Sequence, residues 1–255
     1  IDREFIETIK KSRKVVLPVF SPTRITERKG IFYLADEIRS SAPEFKSAAL
    51  SQGHINTLVD ADQVIRRVPA FIRTKDTVYP QISLEMVRIY RGEKGIDNIY
   101  PGKKPSSIFR NDGSIYVRMM PPETIEKYFI PFEDILAGRY HPGNLNKKLV
   151  LIGQTMVGAK NADLIPTPIG TQFGVIFQAS GLSNALSGNY IYRLKSSLIA
   201  SGIVATGTIT GLIFLSSGII GSTFLLIALS ALLIFFSLYL MRSGIFLDTV
   251  PFLIL

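Results

Sequence analysis

Residues 196–241 run for 46 positions without one charged side chain. As a helix rising about 1.5 Å per residue, such a run covers roughly 69 Å, enough to cross a ~30 Å hydrocarbon core twice. This feature excludes a soluble globular chain and predicts a polar head joined to a membrane tail. The charge distribution agrees. Residues 1–195 carry 28 of the 29 Lys and Arg and 19 of the 20 Asp and Glu, whereas residues 196–255 carry only Arg242 and Asp248. The net charge of +9 therefore belongs to the head. With 47% hydrophobic residues, the chain is not a disordered one either.

Ser216-Ser217-Gly218 divides the run into spans predicted at 197–215 and 219–241. In the second, 14 of 23 residues are Leu, Ile or Phe, which favours insertion by roughly 4–8 kcal/mol. The first holds 9 Leu, Ile, Val or Phe and 10 Gly, Ala, Ser or Thr, a composition suited to close helix packing. Gly207 and Gly211 form one G-x-x-x-G, read either as a dimer contact or as packing against a neighbouring span of the same chain. Residues 245–255 are expected to open a third span. The predicted organisation is a head over 1–190 and a membrane region over 191–255. Arg193 and Lys195 flank the first span on the side of the head. The charge rule would place that side in the cytoplasm, but large domains cross largely regardless of charge.

The head reads as alternating strands and helices. Residues 2–14 form a short charged helix with Phe5, Ile6 and Ile9 on one face, and 15–20 a buried strand. FYLADEIRS (32–40) reads as helical turns. Two strand-like runs, 52–60 and 64–72, flank a turn at Ala61-Asp62-Gln63 and predict a hairpin. A helix follows in 81–91, ended by Gly92, then a Gly-, Pro- and Lys-rich loop over 93–113. Residues 114–120 read as a strand, 131–138 as a helix, KKLVLIG (147–153) as the clearest buried strand, and 173–188 as a helix stopped at Gly188. The fold class is therefore an α/β head with a largely parallel sheet plus a hairpin, followed by transmembrane helices.

Little in the head carries complete chemistry. Cysteine is absent and histidine numbers two, His54 and His141, so thiolate chemistry and a multi-His metal centre within the chain are excluded. Gly153-x₄-Gly158-Ala159-Lys160 departs from a phosphate loop, because the Lys comes one place late and Asn161 follows it. Gly181-x-Ser183-x-Ala185 lacks the second Gly of a nucleophile elbow. Asp60-Ala61-Asp62 is followed by Arg66 and Arg67 instead of the further oxygen ligands a calcium loop needs. It reads as a turn between strands, or as part of a polar cluster of His54, Asn56, Asp60, Asp62 and Arg66 at one end of the sheet. No catalytic residue, metal or cofactor is expected. The basic excess lacks aromatic interleaving and does not predict nucleic-acid binding.

Taken together, GHINTLVDADQVIRRVPAFI, YPQISLEMVRIY, FEDILAGRYHPGNLNKKLVLIGQT and DLIPTPIGTQFGVIFQASGLSNALSGN, in that order and followed by closely spaced spans, resemble the type-two CHASE domain. That is an extracellular sensory domain of bacterial cyclases and histidine kinases. The resemblance covers roughly residues 4–190 plus the membrane segment. It implies an upstream span with the first strand–helix units, three spans after the domain, and a cytoplasmic output beyond Leu255, most often a class III adenylate or guanylate cyclase. The matching positions are Gly53, Asn56, Asp60, Asp62, Arg66, Gly153, Asp163, Thr167, Pro168, Gly170 and Gly174. Gln63 departs from a family Gly, and Phe177-Gln178 from a charged residue and His. The ligand-binding candidates are His54, Asn56, Asp60, Asp62, Arg66 and Asp163. The expected setting is the bacterial cytoplasmic membrane, as a homodimer with residues 1–190 outside, meeting an extracellular ligand. The alternative is a membrane enzyme or transport component whose α/β domain faces the cytoplasm.

Overall fold

Short apolar runs cut by prolines make short strands, and that sets the architecture of the head. A computed structural model describes residues 2–23, 25, 28–29, 32–94, 112–156, 163–193 and 196–246. The chain falls into two units, Ile1–Tyr190 and Ile191–Leu255.

In chain order the first unit runs α1 (Asp2–Ser12), β1 (Val16–Val19), β2 (Arg28–Lys29), β3 (Phe32–Leu34), α2 (Pro43–Ala48), β4 (Ser51–His54), β5 (Leu58–Val59), β6 (Ile65–Pro69), β7 (Phe71–Arg73), β8 (Val78–Pro80) and α3 (Ile82–Tyr90). It continues through β9 (Ser114–Tyr116), α4 (Pro122–Tyr128), α5 (Phe132–Leu136), a 3-10 turn (Pro142–Leu145), β10 (Leu164–Thr167), β11 (Gly170–Phe173) and α6 (Gly174–Ser187).

The head is mixed α/β with several small sheets, not one largely parallel sheet. Strands β1 and β4 pair in parallel, as do β3 and β7. The β2–β3, β5–β6, β6–β9, β7–β8 and β10–β11 pairs are antiparallel. The division arises at Pro69-Ala70. Pro69 ends β6 in the β5-β6-β9 sheet, and β7 continues in the β2-β3-β7-β8 sheet. Between them the Ala70 N–H donates to Gly113 O and the Ala70 carbonyl accepts from Gln81 N, both at 3.0 Å. A single pivot residue thus ties two sheets to the start of α3.

Two further expectations are corrected. FYLADEIRS holds the strand β3, because Phe32 packs across on Phe71 (ring centroids 5.7 Å apart) and under the Arg73 guanidinium at 3.8 Å. KKLVLIG forms no strand, and its Ile152 is 84% exposed. Apolar composition predicts burial, but no described strand hydrogen-bonds to this run. The expected 52–72 hairpin exists only as β5–β6, closed by a turn with Gln63 at φ +66°. The start of its first run, 52–54, belongs instead to β4, paired with β1. The predicted loop lies largely outside the described residues, as do Gly158, Ala159 and Lys160.

The core lies where α3 and α6 pack beneath the sheets. It contains Phe71, Leu84, Val87, Phe177, Leu182 and Ala185, all nearly or fully buried, whereas Ile72 belongs to a separate cluster with Tyr33 and Ala35. Gly53 allows close approach: a Cβ there would sit 2.6 Å from the Ile82 Cα. Gly188 ends α6 in the left-handed conformation at φ +68°, which glycine adopts without strain.

The second unit contains β12 (Tyr192–Arg193), α7 (Ser196–Arg242) and β13 (Ile245–Phe246). Helical backbone runs through Ser216-Ser217-Gly218, where the sequence predicts a break. A straight helix of 47 residues would be about 70 Å long. Yet β12 and β13, at its two ends, pair in parallel, and Tyr192 N donates to Gly244 O at 2.7 Å. The element therefore doubles back inside the charge-free run. Each arm has a partly covered stripe at i, i+3, i+4 spacing: Ile199, Gly202, Ile203, Thr206, Gly207 and Thr210 in one, Leu226, Leu229, Ser230, Leu233, Ser237 and Leu240 in the other. That is the pattern of two helices lying side by side. Counting only residues with described side chains, no helix is long and apolar enough to cross a membrane. The expected third span begins as β13 and lies outside the described residues from 247 onward.

Candidate functional site

The six residues selected from the sequence fall in four environments. Asp60, Asp62 and Arg66 meet at the tip of the β5–β6 hairpin. The Arg66 guanidinium is bidentate on Asp62, donating at 2.8 and 2.6 Å, and reaches Asp60 Oδ2 at 3.1 Å. Asp62 also accepts from Val64 N at 3.2 Å, which shapes the turn. The Arg66 hydrogen bonds hold the Asp62 carboxyl down at a pKa of about 2, and Asp62 in turn raises Arg66.

His54 is not part of this tip. Its ring is fully buried and neither nitrogen has a hydrogen-bond partner. Burial lowers its pKa to about 3, with the backbone of Pro69 and Ala70 offsetting part of the effect. Asn56 is a clasp: Ser21 N donates to its Oδ1 at 2.9 Å, and its Nδ2 donates to Ser21 O at 3.0 Å. Asp163 stands at the head of α6, where its carbonyl accepts from Gly174 N at 2.8 Å. Its carboxylate occupies the space a Cβ at Gly174 would need.

The tip network includes three residues that sequence reasoning missed. Arg67 donates to Asp60 and, through Nη1, to Asp112 Oδ2 at 2.8 Å and Ser114 Oγ at 3.3 Å. Asp112 also accepts from Ser114 N at 3.1 Å. Alternation along β6 sends adjacent arginines to opposite faces, so Arg66 serves the turn while Arg67 ties β5–β6 to β9. The available signal was Asp112-Gly113 ahead of a strand, a turn whose carboxylate can reach across. Burial and hydrogen bonds to Asp60 act oppositely on Arg67, and the net effect raises it.

This asymmetry predicts unequal mutants. The Arg67 side chain is 16% exposed and that of Arg66 33%. Arg67→Ala leaves Asp60 and Asp112 without their shared cation and is expected to cost about 2–3 kcal/mol, against about 1 kcal/mol for Arg66→Ala. Denaturant unfolding of the two variants checks the order.

A second polar group lies at the start of α3. Gln81 caps α3 by accepting from Ser83 N at 2.7 Å and Leu84 N at 3.2 Å. Its Nε2 donates to Gln178 Oε1 at 2.6 Å, and Gln178 Nε2 donates to Ile55 O at 3.1 Å. Phe177 fills core, and Gln178 supplies a neutral donor and acceptor that join α3, α6 and the end of β4. No catalytic constellation stands among these groups, and among the described residues no His, Asp and Glu cluster could hold a metal.

A family model described as the CHASE2 domain matches residues 1–220. No curated protein and no solved structure gives a match. The match covers most of the chain, including the α3 and α6 blocks and the tip, so the chain belongs to the CHASE2 domain family, the sensory domains of signalling receptors.

Proposed function

We propose that this chain is the sensing and membrane-anchoring part of a bacterial receptor whose α/β head lies outside the cytoplasm. The output it serves is a cytoplasmic class III adenylate or guanylate cyclase in a dimeric receptor. The observation that carries the reading is the helical element of the second unit, which doubles back and offers apolar side chains outward. Val204, Leu215, Phe224 and Phe235 are each at least 68% exposed there. Water does not tolerate so large an apolar surface, whereas lipid does. Two arms return the chain to the side it left, so a further crossing beyond them takes the signal to the cytoplasm. Asp60, Asp62 and Arg66 are the polar group read by the signal, which biases two states of the head.

A reporter active only outside the cytoplasm, inserted near residue 100, is expected to be active. A second reading has one observation in its favour. Arg193 and Arg242 both lie next to the paired β12 and β13, so the cationic flanks share one end of the helical element. By the charge rule that end is cytoplasmic. Activity of a cytoplasm-only reporter at the same position would establish this reading and remove the sensor.

Asp62 gives a second test. Its side chain is 54% exposed, and Asp62→Ala is expected to leave the melting transition of the head in place while changing cyclic-nucleotide output of the parent receptor. Unfolding without a separate effect on output would make the tip a purely structural turn.

A further inference from the structure

A cleft of about 440 Å³ opens between α2, β4, β8 and α3, and no residue of the hairpin-tip network lines it. Stretches far apart in sequence build it: Lys46 from α2, Ser51 and Gln52 from β4, Glu85 and Arg88 from α3, and Lys94 beyond the end of α3. Its volume falls in the range of small-molecule pockets.

The floor of the cleft is electrostatically complete. Glu85 has a side chain only 4% exposed. Its Oε1 accepts from Ser51 Oγ and from Arg88 Nη2, each at 2.5 Å, and its Oε2 accepts from Arg88 Nε at 2.8 Å. Arg88 Nη1 donates to Glu93 O at 2.7 Å. Glu85, the one carboxylate among the described lining residues, is therefore ion-paired and offers little to a cation.

The rim is different. Lys46 and Lys94 are exposed and make no ion pair with another described residue. Beneath the rim, Gln52 has its Nε2 buried without a hydrogen-bond partner. Two ammonium groups around a neutral floor leave an excess of positive charge, which a concave wall focuses.

We propose that this cleft binds a small soluble anion through a carboxylate or phosphate group, held at the rim by Lys46 and Lys94. The site deepens the sensor reading and rests on it for purpose, while binding itself can be measured on the isolated chain. Cleft failure and sensor failure are therefore separable: a head found in the cytoplasm removes the sensor, and absent binding removes the cleft alone.

The test is calorimetric titration of the full chain in neutral-lipid nanodiscs with inorganic phosphate and, separately, succinate at low ionic strength. Saturable binding of at least one is expected. Lys46→Ala with Lys94→Ala should weaken it about tenfold or more, whereas Lys10→Ala with Lys11→Ala in α1 should leave it unchanged. Thermal melts verify that each variant folds, and Lys46→Gln with Lys94→Gln replaces the first pair if it does not. No saturable binding, or equal loss in both pairs, overturns the proposal. So does tight association with phosphatidylglycerol vesicles that free phosphate and succinate cannot compete away, which would make a lipid headgroup the source of the anion.

Discussion

Acidification from pH 6.5 towards pH 3 is expected to weaken the head by about 1.4 kcal/mol per pH unit through His54 alone. The ring is fully buried, and its pKa falls from 6.5 to about 3 because burial penalises the imidazolium. Below pH 6.5 the unfolded chain takes up a proton that the folded chain refuses. Falling pH therefore favours unfolding until the folded ring titrates as well. Above pH 6.5 both states hold the neutral ring, and His54 adds no pH dependence. The full displacement corresponds to roughly 4–5 kcal/mol, and the share lost by pH 4.5 to about 2.5–3 kcal/mol. Asp62 acts with the same sign but only at lower pH, since its folded value is about 2 against an ordinary 3.8. Denaturant unfolding between pH 7 and 4.5, followed by the near-ultraviolet signal of the tyrosines, isolates the histidine. His54→Leu should flatten the slope in that window. An unchanged slope in the variant would show that the buried ring is not the linked group.

Neighbours along the chain were legible in the sequence; partners across it were not. Gly92, Gly138 and Gly188 mark the ends of α3, α5 and α6, and all three adopt positive φ. Helix stops need only local chemistry. The Asp60–Asp62–Arg66 group was visible for the same reason, since six residues separate its ends. Arg67 escaped notice because its second carboxylate, Asp112, lies 45 residues away. Gln81 and Gln178 are 97 residues apart. His54 looked like a ligand because histidine is a frequent one. Its role is decided by the Pro69-Ala70 pivot that seals it, which no local pattern announces. The same limit explains both wrong elements. Phe32 becomes strand because Phe71 and Arg73 face it, and residues 147–153 stay unpaired despite their β-branched, apolar composition. The break expected at Ser216-Ser217-Gly218 is not found, because the helical backbone passes through it.

Phe177→Ala is expected to cost about 3–5 kcal/mol, because the ring is only 1% exposed and its removal opens a cavity between α3 and α6 that close-packed neighbours fill incompletely. The loss should be local to the head. Residues Ile191–Leu255 form a separate unit, so the far-ultraviolet signal of α7 should persist while the head loses its cooperative transition. Under the proposed function, a destabilised head that still carries an intact helical element should be present in the membrane yet unable to transmit. The position also separates the roles of Phe177 and Gln178. Gln178 donates and accepts within the buried join of α3, α6 and β4, whereas Phe177 contributes volume alone. Phe177→Leu should therefore restore most of the stability lost in the alanine variant. Gln178→Leu, of similar size, should stay costly because it leaves Gln81 Nε2 and Ile55 O without the partners they have now. Denaturant midpoints for the three variants decide the matter. If Phe177→Ala costs less than about 1 kcal/mol, the α3–α6 contact is not the core of the head.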